Sequence, residues 1–268
     1  AKYNDKTKIL HCLPMFYMGG ILDTFFACMY SGSTIILGER FSINNVLNFW
    51  ELPIKHKCNT LFLTPSIVAF LCAIYKKPKP EIKKHVDGYK SIIATGSYLY
   101  KEVRESFYKI FKKNIFACYG ATELVGPLTL QNEEDTFEDF CVGRHGNGVK
   151  ILIKKDEEDS NIVMVKSSFF MKGYITKKGY EPPKIFDGYY DTGDIGYYKK
   201  NLLYIKGRKR DIIKKGGELI FLSLIEKTAS QSGMILESAA IGKKDLIAGE
   251  EPYLITVFKK DSGPDCIE

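Results

Sequence analysis

The chain has 268 residues, 45% of them apolar and 26% charged, enough for one large domain or two smaller ones and too apolar for intrinsic disorder. Its 39 Lys and Arg against 32 Asp and Glu leave a net charge of +7; the positive residues are scattered and not interleaved with aromatics in a stripe, which argues against nucleic acid as a partner. The longest clean apolar run, "IVAFLCAIY" from Ile67, falls short of the roughly 20 residues that span a bilayer, so no transmembrane segment is expected.

In chain order, "STIILG" (33–38) reads as a short strand ended by Gly38, and Ser42 as the cap of a helix through Trp50. "TLFL" (60–63) is a strand. Thr64-Pro65 places an N-cap before a proline at the first helical position, where its missing N–H costs nothing; that helix runs to about Tyr75, and "KKPKP" is a loop. "SIIATG" (91–96) is a strand. In "KEVRESFYKIFKK", Val103, Phe107, Ile110 and Phe111 form one apolar helical stripe, and "NIFACYG" returns as a strand. This β-α-β order predicts a mostly parallel sheet with flanking helices, whose ligands bind at the carboxyl ends of the strands.

After about Thr122 the rhythm changes. "VKILI", "NIVMVKS", "GYYDTGDIGYY" and "LLYIKG" are short and β-rich, giving an antiparallel sheet or small barrel over 124–206. From Gly207 a strand ("DIIKK"), a Gly-Gly turn, a helix near 222–231 and the strands "SAAIG" and "YLITVFKK" make a small α/β lobe. The expected fold class is therefore α/β in three parts: an α/β subdomain over 1–123, a β-rich subdomain over 124–206, and a connecting segment with a small C-terminal lobe over 207–268.

Seven cysteines, at positions 12, 28, 58, 72, 118, 141 and 266, form no C-x-x-C pair, and several sit in apolar runs. That pattern suggests reduced thiols in a cytoplasmic protein. Only four His are present, which argues against a zinc cluster.

Several loops have two readings. "YGATE" (119–123) offers an aromatic face for a purine, a Thr hydroxyl for a phosphate oxygen and a Glu for a divalent cation, or it is a turn capped by Thr122. "YDTGD" (190–194) suits a ribose diol or is a hairpin turn. "GRKRD" (207–211) supplies an Arg for hydroxyls or phosphate, or is a solvated linker. "ATGS" (94–97) lets backbone approach a ligand, and "LPMFYMGG" (13–20) lines an apolar pocket or makes a buried turn.

Taken in order, "LPMFYMGG", "ATGS", "YGATE", "VGR" (142–144), "FMKGY" (170–174), "YDTGD" and "GRKRDIIKKGGELI" (207–220) resemble the adenylate-forming superfamily, which includes acyl- and aryl-CoA synthetases, luciferases and peptide-synthetase adenylation domains. The resemblance covers Leu13 to about Phe258. It implies attack of a carboxylate on the α-phosphate of ATP, giving an acyl-adenylate and pyrophosphate, then attack of a thiol such as that of coenzyme A. It implies Mg2+, ATP or AMP and coenzyme A as cofactors. Its partners would be a small carboxylic acid and coenzyme A or a carrier protein.

By the same resemblance Tyr119 stacks on adenine with Gly120 beside it, Thr122 bonds phosphate and Glu123 associates with magnesium. Gly96 and Ser97 form the turn whose backbone passes the adenine and acyl group. Asp194 binds ribose with Arg208 as its partner, and Arg210 falls at the hinge. Lys214 and Gly217 match the loop facing the thioester-forming site. Tyr17 stands where many members carry a His that gates the acyl pocket; Met18, Thr95 and Leu124 complete the expected wall. The family's Ser/Thr/Gly-rich phosphate loop and its late catalytic Lys have no counterparts here, and His145 and Asn147 replace common prolines. The expectation is thus an internal piece of a longer enzyme, with exposed apolar surface and little adenylation alone. The alternatives are an adenylation domain that loads a carrier protein, and a non-catalytic nucleotide-binding module.

Overall fold

A computed structural model describes residues 3–157, 159–216, 218–232, 234–247 and 249–258. The chain divides into two units. The first takes the chain up to Leu152, then Val165–Tyr190 and Tyr198–Tyr204; the second takes Ile153–Met164, Asp191–Tyr197 and the described residues from Ile205 onward.

In the first unit, β1 (Lys8–His11) leads through the Pro14 turn into α1 (Met18–Gly20), a wider π-type turn over Ile21–Phe26, and α2 (Ala27–Ser31), which Gly32 closes at φ +68°. Gly20 is obligatory there, because a Cβ would collide with the Pro14 carbonyl. β2 (Thr34–Leu37) follows, then α3 (Glu51–His56), β3 (Thr60–Leu63), α4 (Pro65–Ile74), α5 (Pro80–Asp87), β4 (Ser91–Ala94), α6 (Lys101–Phe111) and β5 (Phe116–Ala121). The strands stand in the order β2-β1-β3-β4-β5, every neighbouring pair parallel. All four residues of β3 are buried, as a central strand covered on both faces requires. The Thr64 hydroxyl accepts from the Ile67 N–H at 3.4 Å, with Pro65 opening α4.

The core gathers on Trp50, Tyr89, Phe107, Phe111, Leu61 and Leu71, each at most 2% exposed. The Trp50 ring meets those of Phe49 at 5.1 Å and Phe111 at 5.4 Å. Each such side chain contributes about 1.5–3 kcal/mol on burial.

At β5 the sheet changes sense. β6 (Gly126–Leu130) and β7 (Cys141–His145) run antiparallel beyond it. Then come β8 (Val149–Lys155), β9 (Asn161–Ser167), the small hairpin β10 (Tyr174–Thr176) and β11 (Gly179–Glu181), β12 (Ile185–Phe186), β13 (Tyr189–Lys199) and β14 (Leu202–Arg208). β14 pairs with β7 through Leu203 and Gly143. Strands β8, β9 and β14 each begin in one unit and end in the other, and β13 begins and ends in the first with its middle, Asp191–Tyr197, in the second. The α/β class with a parallel sheet followed by antiparallel strands holds, and the strands after Thr122 build open sheet, not a barrel.

The second unit carries β15 (Ile212–Lys215), β16 (Glu218–Phe221), α7 (Leu222–Ser230), β17 (Ile235–Asp245) and β18 (Gly249–Phe258), in the sheet order β16-β15-β18-β17.

Two local expectations are corrected. Ser42 caps no helix: its N–H donates to Asn45 Oδ1, and Asn45 Nδ2 donates to the Arg40 carbonyl, which holds the segment in turns until α3 begins at Glu51. The loop expected at "KKPKP" ends one residue early, because Pro80 opens α5 and Ile82 and Val86 bury one of its faces. Residues Glu218–Phe221, for which no element was expected, pair with β15 as a strand. The six described cysteines are free and buried, and burial pushes the Cys12 and Cys118 thiols up to about 12. Gly217 and Cys266 lie outside the described residues.

Candidate functional site

The residues singled out in the first unit follow the carboxyl ends of β1, β4 and β5, where parallel sheets present their ligand loops. β5 carries half-buried Tyr119 to its end, and Gly120 follows with no room for a Cβ against the Gly126 carbonyl. A single turn over Thr122–Leu124, with Val125 at φ +59° and Gly126 at φ +130°, reverses the chain into β6. A left-handed β-branched residue is uncommon; the tight reversal imposes it. The turn exposes Thr122, leaves Glu123 half-buried and buries Leu124.

Glu123 is anchored twice by the segment "FMKGY". Its Oε1 accepts from the Tyr174 hydroxyl at 3.0 Å, and its backbone carbonyl accepts from the Met171 N–H at 2.9 Å. The Tyr174 and Tyr190 hydroxyls lie 3.0 Å apart. Burial raises the Tyr174 phenol above its ordinary range, the Glu123 carboxylate adds to the rise, and the Tyr190 contact opposes it.

After β4, Thr95 is buried and its hydroxyl donates to the Cys118 carbonyl at 2.9 Å, which ties the "ATGS" turn to β5. Gly96 and Ser97 are exposed, and Gly96 takes φ +89°. The Tyr17 phenol lies against it: a Cβ on Gly96 would stand 2.6 Å from Tyr17 Oη. Met18 follows, half-buried, at the start of α1. Tyr17, Gly96 and the Tyr119–Leu124 segment thus belong to one neighbourhood of the first unit.

Asp23, which the motifs did not mark, sits in the π-type turn below Tyr17. Its Oδ1 is buried and has no hydrogen-bond partner. A Cβ on Gly126 would meet that oxygen at 3.3 Å. Burial pushes the Asp23 carboxyl up to about 7. The signal available in the sequence was an acid alone in the apolar run "GGILDTFF", since carboxylates are rarely buried without a partner.

In the second unit, Asp194 on β13 is 4% exposed, and Arg208 on β14 donates from Nε to its Oδ1 at 3.1 Å. The motifs "YDTGD" and "GRKRD" therefore meet at one carboxylate. The Asp194 N–H donates to Thr192 Oγ1, whose hydroxyl donates to the Val163 carbonyl, and Gly193 makes the turn at φ +68°. Arg210 is exposed in the Lys209–Asp211 turn, 3.6 Å from Asp211. Lys214 is exposed on β15, its backbone N–H donating to Glu250.

Among the described residues no group of three or more His, Cys, Asp and Glu could hold a metal by itself. Nor is any helix there long and apolar enough to cross a membrane.

The profile of the AMP-binding enzyme family matches residues 1–190. The 2-succinylbenzoate–CoA ligase of Bacillus subtilis is 24% identical over 96% of this chain and 52% of its own length. The malonate–CoA ligase of Arabidopsis thaliana is 28% identical over 96% of this chain and 45% of its own length. In structure, the O-succinylbenzoate coenzyme A synthetase of Bacillus subtilis, solved in complex with AMP, superposes with a TM-score of 0.79 at 22% identity, covering 98% of this chain and 53% of that one. The chain thus spans about half the length of the curated relatives it matches.

Proposed function

We propose, for a chain that belongs to the AMP-binding enzyme family, that it supplies the nucleotide and acyl sites of an ATP-dependent acyl- or aryl-CoA ligase. The substrate carboxylate attacks the α-phosphate of ATP, pyrophosphate leaves, and the acyl-adenylate forms. The coenzyme A thiol then attacks the acyl carbon, the thioester forms and AMP leaves.

Each residue's part follows from its chemistry. Tyr119 would stack its ring on the adenine, with Gly120 allowing the close approach of backbone. Asp194 would accept from the ribose hydroxyls, and Arg208 fixes its rotamer. The exposed Thr122 hydroxyl would donate to an α-phosphate oxygen. Glu123 fits Mg2+ of the kind held mostly by phosphates and water, which takes only one or two carboxylates from protein; bound there, the ion neutralises phosphate charge. Tyr174 and Met171 hold Glu123 in place for that role. Gly96 and Ser97 would present backbone to the adenine and acyl group, while Tyr17, Met18, Thr95 and Leu124 line the acyl side. Arg210 would mark the hinge, and Lys214 would serve thioester formation. Relatives named as CoA ligases favour coenzyme A over a carrier protein as the acceptor. Their named acids differ, so the acid is not carried over from them.

The observation that most supports this reading is the buried Asp194 gripped by Arg208 from the neighbouring strand. Calorimetric titration with AMP tests it. The reading expects saturable binding that Asp194→Ala and Tyr119→Ala each weaken by tenfold or more, about 1.4 kcal/mol. Saturable binding that both substitutions leave intact would refute the assignment.

A further inference from the structure

The unpaired carboxylate of Asp23 calls for a ligand. Its Oδ1 is sealed from solvent and accepts no hydrogen bond. An acid in that state is costly unless something donates to it. Among the described residues no cation acts on it, burial being the one influence on its carboxyl. The titratable groups that feel its charge are Tyr3, Tyr17 and Cys118, and all three are neutral around pH 7. On the remaining side stands Gly126, where a Cβ would come within 3.3 Å of that oxygen, so the carboxyl lies directly against the start of β6.

The location narrows what could donate. Asp23 lies six residues after Tyr17, whose phenol covers Gly96, and it faces the β5–β6 reversal that carries Thr122 and Leu124. Of those residues, Tyr17 and Leu124 belong to the proposed acyl wall.

We propose that Asp23 is a specificity residue of the acyl pocket, selecting a carboxylic acid whose tail carries an ammonium group. This rests on the acyl-adenylate reading above. A tail ammonium would neutralise the carboxylate and satisfy its orphaned oxygen together. A hydroxyl would satisfy the oxygen and leave the charge. A second anionic group on the tail would be repelled. The carboxyl titrating near neutrality when empty fits a group waiting for a cationic partner, because pairing would bring it back toward ordinary acidity.

The test uses sulfamoyl-adenosine analogues of the acyl-adenylate in three forms: para-(aminomethyl)benzoyl, para-(hydroxymethyl)benzoyl and para-ethylbenzoyl. Aminoalkanoyl, hydroxyalkanoyl and alkanoyl analogues of matched length form a second set, and AMP is titrated alongside. In at least one set the amine form should bind about tenfold or more tighter than both counterparts. Asp23→Asn should abolish that advantage while AMP binding stays unchanged. At pH 6 the amine form should also release about one proton on binding, read from the heat in buffers of different ionisation enthalpy; the ethyl form should release none. If Asp23→Asn fails to fold, proton release by the unsubstituted chain decides alone. Normal AMP binding without an amine preference in either set, an equal preference for the hydroxymethyl or hydroxyalkanoyl form, or an advantage that survives Asp23→Asn each overturns the proposal. Failure of AMP itself to bind overturns the acyl-adenylate reading, and this one with it.

Discussion

Replacing Asp23 by Asn should change how stability depends on pH. Burial moves the carboxyl from an ordinary 3.8 to about 7. Its folded-state value is raised, so its contribution is fully present below the unfolded value and is lost as pH climbs through the folded one. Between about pH 4 and 7 the unfolded chain has released this proton and the folded chain still holds it. Stability therefore falls with pH by about 1.4 kcal/mol per unit, toward a total near 4 kcal/mol. Tyr3, Tyr17 and Cys118, which face the group, titrate well above that window and do not contribute. The Asn amide can be matched poorly and cost about 1–3 kcal/mol at this site, but that cost is the same at every pH. Urea unfolding of both proteins between pH 5 and 8 isolates the slope. The Asn variant should gain on the parent by about 3 kcal/mol across that range. A difference that does not change with pH would refute the reasoning.

Two further outcomes are expected. Arg208→Ala leaves the buried Asp194 without its 3.1 Å partner; because the guanidinium itself is half exposed, the loss should be about 1–3 kcal/mol in urea unfolding, and smaller in the Asp194→Asn background. Gly96→Ala should cost about 1–3 kcal/mol, part from φ +89° and part from the Tyr17 hydroxyl 2.6 Å away. Tyr17→Phe removes that oxygen and leaves the ring carbon at 3.6 Å, so the double variant should recover the steric part and keep the strain; equal costs in both backgrounds would contradict the contact.

The parallel sheet was legible because its strands are written as continuous apolar runs. "TLFL" and "SIIA" read as strands between turn and helix signals, and Thr64-Pro65 marks a helix start with a cap and a fixed φ. α6 showed itself by one stripe, of which Phe107 and Phe111 are fully buried. α5 stayed hidden because it offers only Ile82 and Val86 to the core amid lysines and follows a Pro-Lys loop. The helical stretch after Tyr17 was obscured for another reason. Its Gly pair reads as a turn, and the π-type widening over Ile21–Phe26 breaks the regular spacing on which helix recognition depends. That same widening hides Asp23. The meeting of Asp194 and Arg208 was implied by the family resemblance and not by the local pattern, which left a hairpin turn and a solvated linker open. The Tyr174 bond to Glu123 joins residues 51 positions apart, and no local pattern carries such a pairing.

All six described cysteines belong to the first unit and are closed to solvent. A thiol so placed reacts with an alkylating reagent only when its surroundings open. The protein therefore carries its own set of timers, from Cys12 on the first strand's exit to Cys141 at the start of β7. With Cys266 replaced by Ser, the order in which they become modified would read out how the parallel sheet loosens, with no foreign label introduced.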